Sequence, residues 1–163
     1  MKKILSIGLA LLCLSIVALG ADTVVTSPNG QIKVTINTAD GLSWTVSRNG
    51  KTVYIENGIA LIIGGKTLGD KAKVKSIKQK PGNQIMHPIV PLKFSEIRDN
   101  YNEATINYGA YQVLLRVMDN AVAHRFVLNQ KGNVEIMDER FNLCPANDFT
   151  AHYQTAGSFN TSY

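Results

Sequence analysis

The sequence has 163 residues, of which 45% are hydrophobic and 18% are charged. This length allows one compact domain with a sizeable core and is too short for a large multidomain enzyme, and the apolar content excludes wholesale disorder. The formal net charge of +5 is modest. Composition therefore gives a class of protein, and the chemistry must be sought in motifs.

The first 20 residues are predicted to be an export signal. Two lysines precede an apolar run from Ile4 to Leu19, and Ala18 and Gly20 supply the small side chains that a signal peptidase recognises. A membrane anchor is the alternative, but the run is short for a hydrocarbon core of ~30 Å and a cleavage site follows it. We therefore expect a mature chain of residues 21–163, exported to the periplasm or exterior of a bacterium, with no stable membrane insertion.

The mature chain is expected to fold without a disulfide. Removing the signal leaves 15 of the 17 basic residues against 12 acidic ones, a net charge of about +3, and it also removes Cys13. Cys144 then has no partner within the chain, so a core must hold the domain without covalent help. We predict that Cys144 is a small buried apolar residue and not a nucleophile.

Alternation of apolar and polar residues predicts strands along most of the chain. It is clearest in Ile32–Asn37 and Leu42–Ser47, and the dipeptides Asp40-Gly41 and Asn49-Gly50 are typical of hairpin turns. Further strands are predicted at Thr52–Ile55, Ile59–Ile63, Ala72–Ile77, Ala104–Tyr108, Tyr111–Val117, Val122–Leu128 and Val134–Ile136. Because no long stretch keeps a helical period and turns recur about every ten residues, the sequence predicts an all-β antiparallel sandwich.

Two segments are predicted to lie outside strands. Lys80–Pro91 contains three prolines, which cannot donate to a sheet ladder, so we predict a long loop there. The alternation is also lost over about the last thirty residues, which indicates a domain that is incomplete at its C-terminal end.

Two sets of side chains that suggest ligand binding have commoner explanations. Five lysines lie between residues 71 and 80, and an exposed strand or a lysine-protected sheet edge accounts for such a stripe more often than a nucleic-acid site does. His87, His124 and His152 are too far apart for a metal-ligand motif. We therefore expect no nucleic-acid partner and no histidine metal site.

The segment Glu96–Glu103 is the richest in functional groups. It contains three carboxylates, one arginine, two amides and one tyrosine in eight residues. Paired carboxylates are the acid and base of glycoside cleavage, and arginine, asparagine and tyrosine bind sugar hydroxyls. The alternative is a polar loop held together by Arg98 and a neighbouring carboxylate, and the residues alone favour this alternative.

Four segments resemble the N-terminal domain of glycoside hydrolase family 97. They are Ser27–Val34, Leu42–Val53, Glu96–Glu103, which is similar to the family's Arg-Asp-x-Tyr-Asn-Glu signature, and Met118–Phe126. Within the last segment, Asn120 stands where the family has glycine and His124 where it has phenylalanine. The resemblance covers nearly the whole mature chain in the right order.

This resemblance implies a fold and a function. Members are exported bacterial α-glucosidases and α-galactosidases, in which a galactose-mutarotase-like β-super-sandwich precedes a (β/α)₈ catalytic barrel and a small C-terminal β domain. The barrel carries the catalytic carboxylates and most calcium ligands, and the one calcium-binding glutamate of the N-terminal domain is expected beyond Tyr163. The chain is thus expected to be part of a non-catalytic domain that packs on the barrel, binds no metal itself and helps shape a pocket for an α-linked oligosaccharide.

The resemblance therefore assigns no catalytic or metal-binding residue to this chain. The candidates for the domain interface or the sugar pocket are Arg98, Asp99, Tyr101, Asn102 and Glu103, which we expect to order a loop facing the barrel. Two alternatives stay open: a free-standing carbohydrate-binding or adhesion module, and a small complete enzyme that uses Glu96, Asp99 or Glu103.

Overall fold

Ten β-strands make up the regular structure of residues 22–90 and 93–152, the part of the protein that a computed structural model describes. The strands are β1 (Thr23–Thr26), β2 (Ile32–Asn37), β3 (Ser43–Arg48), β4 (Lys51–Ile63), β5 (Lys66–Leu68), β6 (Ser76–Met86), β7 (Ile97–Asn107), β8 (Tyr111–Met118), β9 (Val122–Leu128) and β10 (Ile136–Pro145). The predicted export signal, residues 1–20, lies outside the described residues, as does the end of the predicted mature domain, residues 153–163.

The strands form two antiparallel sheets that pack face to face. One sheet has the order β1-β2-β3-β4-β10, with β5 also paired to β4, and the other has the order β6-β7-β8-β9. The prediction of an all-β antiparallel sandwich is confirmed. In the described part of the chain no helix is long and apolar enough to cross a membrane.

The hairpins and the core follow the sequence pattern closely. Asn49 and Gly50 both have positive φ, 51° and 79°, as a two-residue turn between right-twisted strands requires. Alternate residues of β2, β3 and β8 are buried between the sheets. The fully buried core side chains include Val25, Val34, Ile36, Leu42, Trp44, Ile59, Ile106, Val113, Leu115 and Val117.

One predicted strand break does not exist. The sequence suggested two strands, Thr52–Ile55 and Ile59–Ile63, but β4 runs unbroken through both. Gly58 adopts a φ of 63°, and the register of β10 against β4 shifts at the same level, between Arg140 and Asn142. The glycine therefore accommodates a β-bulge within a continuous strand.

The prediction of a loop at Lys80–Pro91 was wrong over its first half. The strand β6 continues through Pro81 to Met86, and Pro81 lies opposite Asn102 of β7. Because β6 is the edge strand of its sheet, the missing N–H of proline can face away from the ladder. The strand predicted at Ala72–Ile77 is the start of β6, which begins only at Ser76.

The C-terminal part of the described chain also differs from the prediction. Strand β10 pairs with β4 from Ile136 to Pro145, although the sequence predicted a strand only to Ile136. All ten of its residues are exposed, so neither face imposes an apolar alternation. Cys144 lies on this strand and is exposed, so its prediction as a buried core residue was wrong.

Candidate functional site

The segment predicted as a polar loop is the first half of strand β7. Because side chains alternate along a strand, Asp99, Tyr101 and Glu103 lie on the outer face of the sheet, while Asn102 shares the inner face with the core residue Ala104. The expectation of a loop was therefore wrong. Glu96 precedes the strand and is exposed.

Glu103 lies at the centre of an ion-pair row across three strands. It is opposite Lys80 of β6 and Arg116 of β8, with a Lys80 Nζ to Oε1 distance of 3.3 Å and an Arg116 Nε to Oε2 distance of 2.8 Å. Although it is on the outer face, only 1% of Glu103 is exposed. Burial alone would raise its pKa, but the hydrogen bonds from Arg116 and Lys80 lower it below the ordinary value. Glu103 is therefore a paired, ionised carboxylate.

Arg116 connects three residues of the signature. It donates to Glu103, its Nη1 lies 3.6 Å from Oδ2 of Asp99, and its guanidinium carbon is 3.9 Å from the ring centroid of Tyr101. These contacts raise the pKa of Arg116, the hydrogen bond to Glu103 most of all. The sequence predicted that Arg98 would tie the segment together; Arg98 is exposed and forms none of the ion pairs found among the described residues.

The ring of Tyr101 lies directly over a glycine of the neighbouring strand. Gly82 of β6 is opposite Tyr101, and a Cβ at that position would lie 2.3 Å from the ring carbon Cζ. The tyrosine is nevertheless only 7% exposed. A glycine at position 82 therefore leaves room for the ring of Tyr101, which lies over β6 and packs against the guanidinium of Arg116.

The two amide side chains on the inner face join the sheets. Asn102 donates to the carbonyl oxygen of Thr26 at 2.6 Å, and Gln79 donates to that of Val24 at 3.0 Å. Both carbonyls belong to the edge strand β1, so these bonds satisfy main-chain groups that β2 does not pair. Asn102 thus fixes the packing of the sheets and does not point toward an open site.

A second polar cluster, which the sequence analysis missed, lies between the sheets. The indole nitrogen of Trp44 donates to Oε2 of Glu56 at 2.8 Å, and Nδ1 of His124 lies 3.6 Å from Oε1 of the same carboxylate. His124 also packs edge-on against Trp44, with ring centroids 5.0 Å apart. The presence of histidine where the family has phenylalanine was the only sequence signal of this cluster.

The carboxylates of β7 are engaged by neighbouring side chains. Asp99 and Glu103 share Arg116, and Asp99 accepts a further hydrogen bond from Gln84 at 3.0 Å, so both carboxylates are held by other side chains. Over residues 22–90 and 93–152, no group of three His, Cys, Asp or Glu side chains is placed to hold a metal ion.

The β6–β7 hairpin extends beyond the rest of its sheet. Pairing of β7 with β8 begins at Tyr101, whereas pairing with β6 continues to Ile97. Large hydrophobic side chains are exposed along this projecting tip, namely Ile85, Met86, Ile89, Val90, Phe94 and Ile97. An exposed apolar group of this size is typical of an interaction surface.

Comparison with known proteins places these features in a family context. The family model described as Glycosyl-hydrolase 97 N-terminal matches residues 25–163. A retaining alpha-galactosidase from Bacteroides thetaiotaomicron is 27% identical over 153 residues, which are 93% of this chain and 23% of that protein.

Solved structures agree with this match. A glycoside hydrolase family 97 enzyme from Pseudoalteromonas sp. strain K8, in complex with acarbose, has a TM-score of 0.59 and 25% identity over 72% of this chain and 19% of its own. A beta-arabinopyranosidase has the same fold, with a TM-score of 0.63 at 22% identity over 73% of this chain and 20% of its own. The chain thus spans about a quarter or less of the length of these relatives.

Proposed function

Because the chain belongs to the glycosyl-hydrolase 97 N-terminal family, we propose that it is the non-catalytic N-terminal domain of an exported, calcium-dependent α-glycosidase. The observation that carries the proposal is the family match from residue 25 onward in a chain that corresponds to 23% of a retaining alpha-galactosidase. In this proposal a downstream (β/α)₈ barrel of the same polypeptide binds calcium and cleaves an α-linked oligosaccharide.

The state of the signature carboxylates supports a structural role. Glycoside cleavage needs one carboxyl group that is protonated near neutral pH, usually because a dry pocket raises its pKa. Glu103 has a lowered pKa and both of its oxygens are paired with cations. It stabilises the sheet that carries the hairpin and has no free oxygen for an acid or base role.

The projecting hairpin supports packing on the barrel. Burial of apolar side chains stabilises an interface by about 25 cal/mol per Å², and Ile89, Val90 and Phe94 are 101%, 67% and 66% exposed. A hairpin tip with this composition gains stability when another domain covers it. The tip is therefore our candidate for the contact that positions this domain beside the sugar pocket.

The arrangement of the exposed aromatic side chains gives less support to a free-standing carbohydrate-binding module. Such modules present a flat platform of aromatic rings to the sugar. The exposed phenylalanines of the described residues lie on three separate segments, the hairpin tip, β10 and the chain after it, and none of them stacks on another aromatic ring.

The test compares the full-length protein with the mature chain 21–163. Both are assayed on p-nitrophenyl α-glucoside and α-galactoside, with calcium and with a chelator. We expect turnover by the full-length protein alone, and its loss in the chelator. Turnover by the short chain would contradict the proposal and return Glu96, Asp99 and Glu103 to the list of catalytic candidates. Mass spectrometry of the exported protein tests the leader, since we expect an N-terminus at Ala21.

A further inference from the structure

The sequence contains three Asn-Gly dipeptides, and the structure places them in different surroundings. They are Asn29-Gly30 in the β1–β2 turn, Asn49-Gly50 in the β3–β4 turn and Asn57-Gly58 within β4. Asparagine is a thermolabile residue, and glycine after it permits a specific reaction. The main-chain nitrogen of the glycine can attack the amide carbon of the asparagine side chain, because no Cβ crowds the approach. The reaction requires that both groups are free to move and accessible to water.

The dipeptide Asn29-Gly30 is held by hydrogen bonds at both reacting groups. The amide oxygen Oδ1 of Asn29 accepts from Oγ of Ser27 at 2.7 Å and from the N–H of Gln31 at 3.0 Å. The N–H of Gly30 donates to the carbonyl oxygen of Ser27 at 2.9 Å. The N–H of Asn29 donates to the carboxylate of Asp119 at 2.8 Å, and this negative charge disfavours the amide anion through which the reaction proceeds. Asn29 is therefore protected.

The dipeptide Asn57-Gly58 is held within the sheet. Asn57 lies opposite Asn142 of β10. Its Oδ1 accepts from Nδ2 of Asn142 at 3.2 Å, and its own Nδ2 lies 3.8 Å from Sγ of Cys144, to which it donates. Nδ2 of Asn142 also lies 3.0 Å from the position that a Cβ on Gly58 would take. The reacting groups of Asn57 can therefore meet only after the β4–β10 pairing opens locally.

The dipeptide Asn49-Gly50 lies at the tip of the β3–β4 hairpin. Both residues are exposed, and apart from the chain neighbours a Cβ on Gly50 would have no atom within 4 Å. Among the hydrogen bonds of residues 22–90 and 93–152, none involves the side chain of Asn49 or the N–H of Gly50. The N–H of Asn49 donates to the carbonyl of Gln31 at 2.8 Å, but that N–H takes no part in the reaction. Both reacting groups are thus accessible, and a turn at a loop tip opens at low cost.

Two cations flank the same dipeptide. Arg48 and Lys51 lie opposite each other at the ends of β3 and β4, and both are exposed. Neither belongs to an ion pair found in the described part of the chain. Positive charges beside an amide favour its deprotonated form, which is the form in which the nitrogen of Gly50 attacks. The charges around Asn49 therefore favour the reaction, whereas the carboxylate beside Asn29 disfavours it.

We propose that Asn49 is a site of spontaneous deamidation, at which the folded protein changes with age while Asn29 and Asn57 remain amides. The nitrogen of Gly50 loses its proton to water and forms a bond to Cγ of Asn49. The Cγ–Nδ2 bond then breaks, and the side-chain nitrogen takes up a proton and leaves as ammonia. Water opens the resulting five-membered imide at either carbonyl and gives aspartate or isoaspartate. The net change consumes water and releases ammonia, and it does not depend on the proposed glycosidase function.

The two products differ in their effect on the hairpin. Aspartate places a carboxylate between Arg48 and Lys51 and leaves the main chain as it was. Isoaspartate adds a methylene group to the main chain of a two-residue turn. Because the length of a hairpin loop fixes the register of its strands, the pairing of Arg48 with Lys51 is then disturbed.

Mass spectrometry of the ageing full-length protein tests the proposal. The folded protein is kept in mildly alkaline buffer, and samples are digested briefly with chymotrypsin, whose cleavage after Trp44 and Tyr54 separates Asn49 from the other two asparagines. We expect Asn49 to deamidate at least about tenfold faster than Asn29 and Asn57, since only its reacting groups are free without local unfolding. A smaller difference, or an earlier reaction at Asn29 or Asn57, would overturn the proposal.

The same measurement in urea separates the effect of structure from that of sequence. All three asparagines precede glycine, so we expect their rates in the unfolded chain to agree within about threefold. If Asn49 keeps its full lead in urea, the local sequence and not the hairpin selects it, and the proposal is wrong.

Gly50→Ala tests whether the glycine nitrogen is the nucleophile. The added methyl group crowds that nitrogen, so we expect deamidation of Asn49 to slow at least about tenfold. Since alanine is strained at the φ of 79° found for Gly50, the variant is also compared with the wild type in urea, where the turn is absent. An unchanged rate at Asn49 in urea would show direct hydrolysis by water and overturn the proposed reaction.

Discussion

Glu103 and Arg116 face each other across β7 and β8, with the arginine Nε 2.8 Å from the carboxylate oxygen Oε2. The pair lies on the outer face of a sheet, yet Glu103 is 1% exposed. Lys80 and Arg116 flank the carboxylate on both sides, and the ring of Tyr101 packs against the guanidinium of Arg116. The side chains that neutralise Glu103 also shield it from solvent, although it lies on the outer face of the sheet.

Removal of Arg116 should destabilise the domain more than removal of Arg98. Arg116→Ala leaves Glu103 with Lys80 as its remaining cation, and we expect a loss of about 2 kcal/mol in the free energy of unfolding, since Arg116 is partly exposed and the pair is partly screened. Arg98→Ala is the matched control, with a change within about 0.5 kcal/mol. Urea denaturation of both variants makes the comparison, and equal effects would contradict the role given to Arg116.

The same pair should make stability depend on pH in the acid range. The pKa of Glu103 in the folded protein is lowered below its ordinary value of 4.5, so the stability it contributes is fully present above that value. It is lost as the pH falls through the ordinary value toward the folded pKa, because the unfolded state then binds the proton first. Urea midpoints measured from pH 7 to pH 3 should fall more for the wild type than for Glu103→Gln. Parallel curves would contradict the lowered pKa.

Gly82→Ala should destabilise the domain while Tyr101 is present. A Cβ at position 82 would meet the tyrosine ring at 2.3 Å, and overpacking of this kind costs about 1–3 kcal/mol. In a Tyr101→Ala background the clash disappears, so Gly82→Ala should then cost less by at least about 0.5 kcal/mol. Thermal or urea denaturation of the two single variants and the double variant gives the coupling, and additive effects would show that the ring does not lie over the glycine.

The buried Trp44–Glu56 hydrogen bond should also be measurable as a coupling. Glu56→Leu removes the acceptor and leaves the indole N–H of Trp44, which is 1% exposed, without a partner, at a cost of about 1–3 kcal/mol. Trp44→Phe removes that donor, so the Glu56→Leu change should cost less in the Trp44→Phe background than in the wild type. The double-mutant cycle is read from urea denaturation, and a coupling near zero would argue that the bond contributes nothing.

The strands could be predicted where one face of the sheet is buried and the other is exposed to solvent. The alternation of apolar and polar residues in β2, β3 and β8 reflects that difference, and the dipeptide Asn49-Gly50 favours the hairpin turn that it forms. Sequence reasoning failed where neighbours decide the outcome. Pro81 is acceptable only because β6 is an edge strand, and Cys144 is exposed because it lies beside the exposed Ile55 on the outer face of its sheet.

The sequence identified the residues of the candidate site, but it did not predict how they are arranged or which cation joins them. The signature residues do cooperate, but the cation that joins them, Arg116, lies on the next strand and is brought close only by the register of β7 and β8. Proximity in the sequence suggested Arg98 instead, but Arg98 forms none of the ion pairs found among the described residues. The pairing of Glu56 with His124 has the same cause, since their 68-residue separation conceals a contact between sheets.

The proposed packing of this domain on a downstream barrel predicts that the hairpin tip contributes to the stability of the full-length protein. Ile89 is 101% exposed and Phe94 is 66% exposed, so charges at these positions disturb little buried surface within the described part of the domain. In the full-length protein, a buried aspartate at either position would be desolvated without a partner. We expect Ile89→Asp and Phe94→Asp to lower the melting temperature of the full-length protein by several degrees, as about 1–2 kcal/mol does in a domain of this size. Lys51→Asp, at the exposed start of β4, is the control for a charge change away from the tip. If all three variants melt with the wild type, the tip lies in solvent in the full-length protein and is not the contact that we propose.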